Sequence, residues 1–268
     1  MYRLFKSLRN QYRLSRIPDL EVYERPFYRP FDPLENRIDI WRRITFDKRL
    51  RNIYDRTVAA IDREQFRSIQ EKYKIPVAAE AHAGTVKYLD LAPWIRLHSK
   101  IALQLNLDTR APSRVLDIGS GGGHFLAIAK VLGHHVTALD LPDCEIYSDL
   151  LKLFGISRIA GGVYLDQALP SQIGKYDIIT INAQNFDIHR DTGARWNVQN
   201  WMRFLEYLTA HHLTFPGEIF VGLNKSAGPT GTEDYLWPLV DAAKEWGAQD
   251  MPGSPQFQLS LQEPLVFD

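Results

Sequence analysis

Seven residues, Asp117 to Gly123 (Asp-Ile-Gly-Ser-Gly-Gly-Gly), put one acid and four glycines into a single short turn. A glycine lets backbone N–H groups come close to a ligand with no Cβ in the way. Two nucleotide fingerprints fail here. G-x-G-x-x-G counted from Gly119 and Gly121 needs glycine at 124, where His124 stands, and no Gly-Lys-Ser/Thr follows for a phosphate loop. The pattern that fits is D-x-G-x-G-x-G, through Asp117, Gly119, Gly121 and Gly123. A second candidate is "NAQNFDIHRDTGAR", residues 182–195, where Asp187 and His189 stand two residues apart. An imidazole accepts a proton at neutral pH without large tuning, so either group is a candidate general base; the alternative for His189 is a capping or solvated role. Arg190 and Arg195 flank this loop and are candidates to grip a phosphate or carboxylate, or plain surface charges.

These groups need a scaffold, and the texture after Pro112 supplies one. "RVLDI" reads as a buried strand, "HFLAIAKVLG" as a helix closed by Gly133, and "HHVTALD" as a strand. "DCEIYSDLLKLFG" reads as a helix closed by Gly155, followed by the short strand "ISRIA" and the strong strand "YDIITIN". Residues 196–212 read as a helix, "GEIFVGLN" as a strand, about 233–246 as a last helix, and "FQLSL" as a closing strand. Strands alternating with helices imply βαβ units and a mostly parallel, doubly wound sheet with helices on both faces. In such a sheet a glycine-rich turn at the end of the first strand lies where ligands bind.

The part before residue 111 has a different character, and a division into 1–110 and 111–268 is expected. Met1, Leu4, Phe5, Leu8 and Tyr12 have amphipathic helical spacing among five basic residues and no acid in the first 16. Prolines at 18, 26, 30 and 33 then break the chain, helical periodicity returns from about Ile38 to Tyr73, and another helix starts near Pro93. Residues 1–75 hold 18 Lys or Arg against 11 Asp or Glu, a surplus that the remainder offsets to a net charge of zero. The basic extension suits an anionic partner or the acidic half of its own chain. A peripheral membrane or polyanion contact through residues 1–16 is one expectation. Cys144 is the single cysteine, which excludes an internal disulfide framework. No apolar run is long enough for a membrane span or a signal-peptide core, so the expected location is cytoplasmic, with contact at the inner membrane face as a variant. No metal is expected. His134-His135 and His211-His212 are adjacent pairs without partners at ligand spacing. The tryptophans at 41, 94, 196, 201, 237 and 246 read mostly as packing residues.

Over roughly residues 112–225 the sequence resembles the class I, Rossmann-like S-adenosylmethionine-dependent methyltransferases, and several motifs occur in the family's order. "VLDIGSGGG" resembles the first motif, which implies that Asp117, Gly119, Ser120, Gly121 and Gly123 surround the methionine end of S-adenosyl-L-methionine. "VTALDLP" resembles the second, giving Asp140 both ribose hydroxyls and placing Leu141 against the adenine. "YDIITINAQNF" is similar to the fourth-strand motif, so Asn182 and Ala183 would line the transfer cleft. By spacing from Leu169-Pro170, the contact to the adenine amino group falls on Val163 or Tyr164, with Asp166 out of register.

The resemblance implies an enzyme of the EC 2.1.1 class that releases S-adenosyl-L-homocysteine. Members acting on hydroxylated small molecules carry a histidine ten residues after the opening acid of the fourth strand. From Asp177 that position is Asp187, and His189 follows. The N-methylating Asn/Asp-Pro-Pro-Tyr/Phe motif is absent, with Ala183 and Gln184 at the proline places. The expected reaction is therefore O-methylation of a small polar, glycan or phosphorylated acceptor. A nucleic-acid methyltransferase is the competing reading, disfavoured by the neutral charge. A methyltransferase-like binding protein without activity is the third. The sequence assigns neither the acceptor nor an oligomeric state.

Overall fold

The computed structural model describes residues 37–73, 85–165, 167–182, 186–187, 195–223, 236–251 and 254–267. The expected helix over residues 1–16 lies outside them. The helices are α1 Arg37–Ala59, α2 Arg63–Lys72, α3 Leu91–Gln104, α4 His124–Val131, α5 Glu145–Leu153, α6 Val198–His212 and α7 Leu236–Glu245. The strands are β1 Arg114–Ile118, β2 His135–Asp140, β3 Arg158–Ala160, β4 Tyr176–Asn182, β5 Leu213–Gly222, β6 Gln249–Met251 and β7 Ser254–Leu261. Among the described residues no helix is long and apolar enough to cross a membrane.

Two compact units share the chain, each drawn from more than one stretch of sequence. One gathers the residues up to 111 with 122–134 and 144–156; the other takes 112–121, 135–143 and 157–268. The sequence suggests a single cut because composition changes once, whereas α4 and α5 pack with the earlier helices.

The second unit holds a seven-stranded sheet in the order β3-β2-β1-β4-β5-β7-β6. Strands β1 to β5 run parallel in the doubly wound order, and β7 lies antiparallel to both β5 and β6. The reading of "FQLSL" as a closing strand is right about its existence but leaves out the three-residue β6 beyond it. Parallel strands buried on both faces read as continuous apolar runs, and Ile178, Ile179 and Ile181 of β4 are all but inaccessible. Trp201, Phe204 and Leu208 of α6 and Leu239 of α7 join Leu116, Ile179 and Phe257 of the sheet in one core. The start of α6 is sharp because Asn197 and Asn200 form a reciprocal capping box.

In the first unit the helical stretch expected over 38–73 is two helices. Asp62 interrupts it by capping α2, its side chain accepting from the Gln65 N–H at 2.9 Å. Arg49 grips Asp108 through Nε and Nη2 at 2.8 and 2.6 Å, a two-pronged ion pair. Asp149 of α5 accepts from Lys72 Nζ at 2.7 Å and from Tyr73 Oη at 2.8 Å, tying α2 to α5. Helix α4 buries His124 to Ala129 without interruption, as expected of a helix apolar all round.

Candidate functional site

Strand order reverses at β1, which has β2 on one side and β4 on the other. That is the switch point where a doubly wound sheet opens a crevice at its carboxyl ends. The sequence places Asp117, Asp140 and Asn182 at the ends of these three strands.

Asp117 is 3% exposed and opposite Thr180 in the β1–β4 register. Thr180 Oγ1 donates to Asp117 Oδ1 at 2.6 Å, and Asn182 Nδ2 reaches the same oxygen at 3.4 Å. Burial pushes this carboxyl up to about 7, against the pull of both donors, with Asp140 adding to the rise. Two residues on, the chain turns through Gly119 and Gly121 with φ of 70° and 54°, the left-handed region that glycine enters without cost. The Gly119 N–H donates to Leu139 O at 2.6 Å, which folds the turn against the end of β2.

Asp140 completes the arrangement. Its Oδ2 accepts from the Gly121 N–H at 2.5 Å and its Oδ1 from the Leu141 N–H at 2.7 Å. A carboxylate offers about four acceptor positions, so two backbone bonds orient it and leave room for a diol. Burial raises its pKa, while the Gly121 and Leu141 N–H groups and Arg158 oppose the rise. The Ser120 hydroxyl in the same turn is buried with no hydrogen-bond partner among the described residues. A buried unsatisfied hydroxyl is costly and is the kind of group a ligand satisfies. The donor set therefore fits the ribose and methionine ends of S-adenosylmethionine.

The other expected residues divide into three groups. Gly123 has φ of 73°, and a Cβ there would lie 2.5 Å from Leu151 Cδ2; at Gly122 one would lie 2.8 Å from Leu150 Cδ1. These two glycines thus admit α5 side chains beside the start of α4, which accounts for more glycine than a ligand turn alone needs. Val163 is buried in the core of the second unit, so contact with a ligand there would fall to its backbone. Tyr164 is 38% exposed, and its ring lies over Gly162, where an added Cβ would be 2.7 Å from Tyr164 Oη. Ala183 and His189 lie outside the described residues.

Asp187 is buried, and its Oδ1 accepts from Arg195 Nη1 at 2.8 Å. Burial raises its pKa, with Arg195 opposing. Its backbone carbonyl accepts from the Trp196 N–H at 2.7 Å. Phe186, Trp196, Trp201 and Phe204 pack around this stem, all edge to face except the tilted Phe186–Trp201 pair, with centroids 5.4–6.2 Å apart. Arg195 is thereby committed to Asp187 and not free to hold a substrate anion.

His124, at the place of a third nucleotide-loop glycine, belongs to an aromatic cluster of the first unit. Its ring lies 6.0 Å from those of Tyr88, Trp94 and His98, and its Nε2 is 3.0 Å from Tyr88 O. Burial pushes the imidazoles of His98 and His124 down to about 4 and about 3. His134 bonds Leu107 O through Nε2 at 2.9 Å, while His211 and His212 end α6, within the stretch read as helix. Among the described residues no group of three or more His, Cys, Asp or Glu side chains is placed to hold a metal ion. Sequence reading missed Thr180, the one hydroxyl inside the apolar run of β4, whose signal was its polarity alone.

No protein-family profile and no curated protein matches the chain. Solved structures do. A ribosomal protein L11 methylase from Lactobacillus delbrueckii subsp. bulgaricus matches at 19% identity and TM-score 0.41, over 63% of this chain and 80% of that one. The S-adenosylmethionine-dependent methyltransferase SibL in its apo form matches at 19% identity and TM-score 0.45, over 71% of this chain and 61% of that one. An O-methyltransferase family protein from Burkholderia thailandensis matches at 13% identity and TM-score 0.44, over 70% and 62%. The chain thus spans under two thirds of the latter two. At these scores the likenesses speak to neither substrate nor residue roles. The strand order itself shows the Rossmann-like α/β fold.

Proposed function

We propose that the chain is a class I S-adenosylmethionine-dependent methyltransferase that methylates an oxygen on a small polar, glycan or phosphorylated acceptor. The observation that supports the cofactor half is Asp140, a carboxylate at the end of β2 oriented by two backbone N–H groups with acceptor positions to spare. Bound at this edge, the cofactor supplies a methyl group made electrophilic by its sulfonium.

What remains is the work of the chain's own residues. Asp140 would accept the ribose hydroxyls, and Leu141 would lie along the adenine. Asp117, fixed by Thr180 and Asn182, would face the methionine end together with Gly119, Ser120 and Gly121. Transfer to a hydroxyl needs alignment and a base for the departing proton. With Asp187 paired to Arg195, we assign the proton to His189 and give the Asp187–Arg195 pair the stem of its loop.

The test is methyl transfer from S-adenosylmethionine to separate pools of polar metabolites, glycans and RNA. Turnover is expected in one of the first two pools. His189→Ala should lower kcat by about 10²–10⁴-fold, the usual range for a general base, with S-adenosylhomocysteine affinity unchanged. Turnover on RNA alone would transfer the assignment to nucleic acid, and full activity in His189→Ala would remove this loop from the chemistry.

A further inference from the structure

The connection from β3 to β4, residues 161–175, is held by the last turns of α6. The Leu169 N–H donates to Tyr207 Oη at 2.8 Å. Tyr207 Oη lies 3.0 Å from His212 Nε2, and His212 Nδ1 lies 3.1 Å from Gly174 O. A carbonyl only accepts, so Nδ1 carries the proton of the neutral ring, and Nε2 must accept from the Tyr207 O–H. The chain of bonds therefore has a fixed direction: Leu169 N–H to Tyr207, Tyr207 O–H to His212, His212 Nδ1–H to Gly174.

The same connection meets the candidate site at its other end. The Gly161 N–H donates to the backbone carbonyl of Asp140 at 3.1 Å. Pro170, next to Leu169, presses on Gly161, where an added Cβ would lie 2.5 Å from Pro170 Cγ. Leu169 itself is buried in the core, and the Ile173 N–H closes a turn onto Pro170 O at 2.9 Å. Contacts thus run from His212 through Tyr207, Leu169, Pro170 and Gly161 to Asp140.

We propose that Tyr207 and His212 are a positioning pair that holds Gly161, Leu169 and Pro170 against Asp140 and so sets the affinity for the nucleoside half of the cofactor. The inference rests on the S-adenosylmethionine reading. Protonation of His212 would break the pattern, because Nε2–H would then compete with the Leu169 N–H for the phenol oxygen. Among the described residues, the ionisable groups facing the imidazole are Tyr207 and His211 of α6 and Lys175 of the connection. Burial holds the ring neutral, and His211 and Lys175 also disfavour its charge, against the carbonyls of Gly174 and Ile173.

The experiment measures S-adenosylhomocysteine binding by calorimetry and amide hydrogen exchange in the full chain. Tyr207→Phe keeps the ring and deletes the O–H; His212→Asn keeps a donor toward Gly174 and deletes the acceptor for Tyr207, and serves if the first variant fails to fold. Each should weaken binding by about 3- to 10-fold at pH 7.5, the effect of one hydrogen bond, and speed exchange at Leu169. The Tyr207→Phe penalty should shrink as pH falls through the titration of His212, which burial shifts below the ordinary imidazole range, because the protonated ring of the wild type no longer accepts from the phenol. A penalty constant with pH, or wild-type affinity with unchanged exchange at Leu169, overturns the pair alone. Wild-type protein that does not bind S-adenosylhomocysteine overturns the cofactor reading and this inference with it.

Discussion

Asp117 shows how one side chain is prepared by another that the sequence does not advertise. A carboxyl buried to this degree is tolerable only with donors, and Thr180 supplies the short one at 2.6 Å. Thr180→Val keeps the shape and removes the hydroxyl. It should cost about 1–3 kcal/mol of stability, the penalty for a buried acceptor that loses its donor, as read from urea unfolding. An unchanged midpoint and slope would mean Asp117 finds another partner. Asp187 teaches the opposite lesson: a residue picked as a base from its place in a loop is committed to Arg195. Arg195→Met would leave that carboxyl buried and uncompensated. A loss of about 3–5 kcal/mol is expected, the range for breaking a buried pair, and a loss under 1 kcal/mol would mean the pair is not structural.

At the scale of elements, the packing of α3 against α4 brings His98 and His124 together, with no carboxylate among the described residues acting on either ring. Both imidazoles titrate well below the ordinary 6.5, at about 4 and about 3. The unfolded chain therefore binds protons at these positions between pH 6.5 and 4 while the native state does not. Stability must fall as pH falls through that window, by up to about 1.4 kcal/mol per pH unit for each ring. Asp117, pushed up to about 7, acts in the other direction, because the native state keeps a proton there that the unfolded chain gives up near 3.8. The two imidazoles thus tilt stability upward from pH 4 to 6.5, and Asp117 offsets part of that tilt. His98→Phe should lower the slope by up to about 1.4 kcal/mol per pH unit, measured by urea unfolding across that range. An unaltered slope in the variant would show that His98 does not hold its ring neutral in the fold.

Across the whole molecule, what the sequence makes legible is local. The glycine turn, the acid ending β2 and the alternation of strands and helices are written in neighbouring residues, and each has its expected place. What stays hidden depends on pairing between distant segments: β7 inserted antiparallel between β5 and β6, the α4 and α5 helices grouped with α1–α3, and Tyr207 and His212 reaching residues 169 and 174. Gly122 could be seen but not explained, and Gly123 was read only as a ligand contact, since the Leu150 and Leu151 side chains they admit belong to a later helix. The break at Asp62 is local and was legible in principle, as an acid before Gln65 in a helical run. All of this converges on one carboxylate at the crevice. The most direct measurement is calorimetric titration of S-adenosylhomocysteine into the wild type and Asp140→Ala, with NAD as a control. The account predicts stoichiometric binding to the wild type, a loss of about 10- to 150-fold in Asp140→Ala from hydrogen bonds to a charged group worth about 1.5–3 kcal/mol, and no heat with NAD. Equal affinity in the two proteins, or binding of NAD in place of S-adenosylhomocysteine, would contradict it.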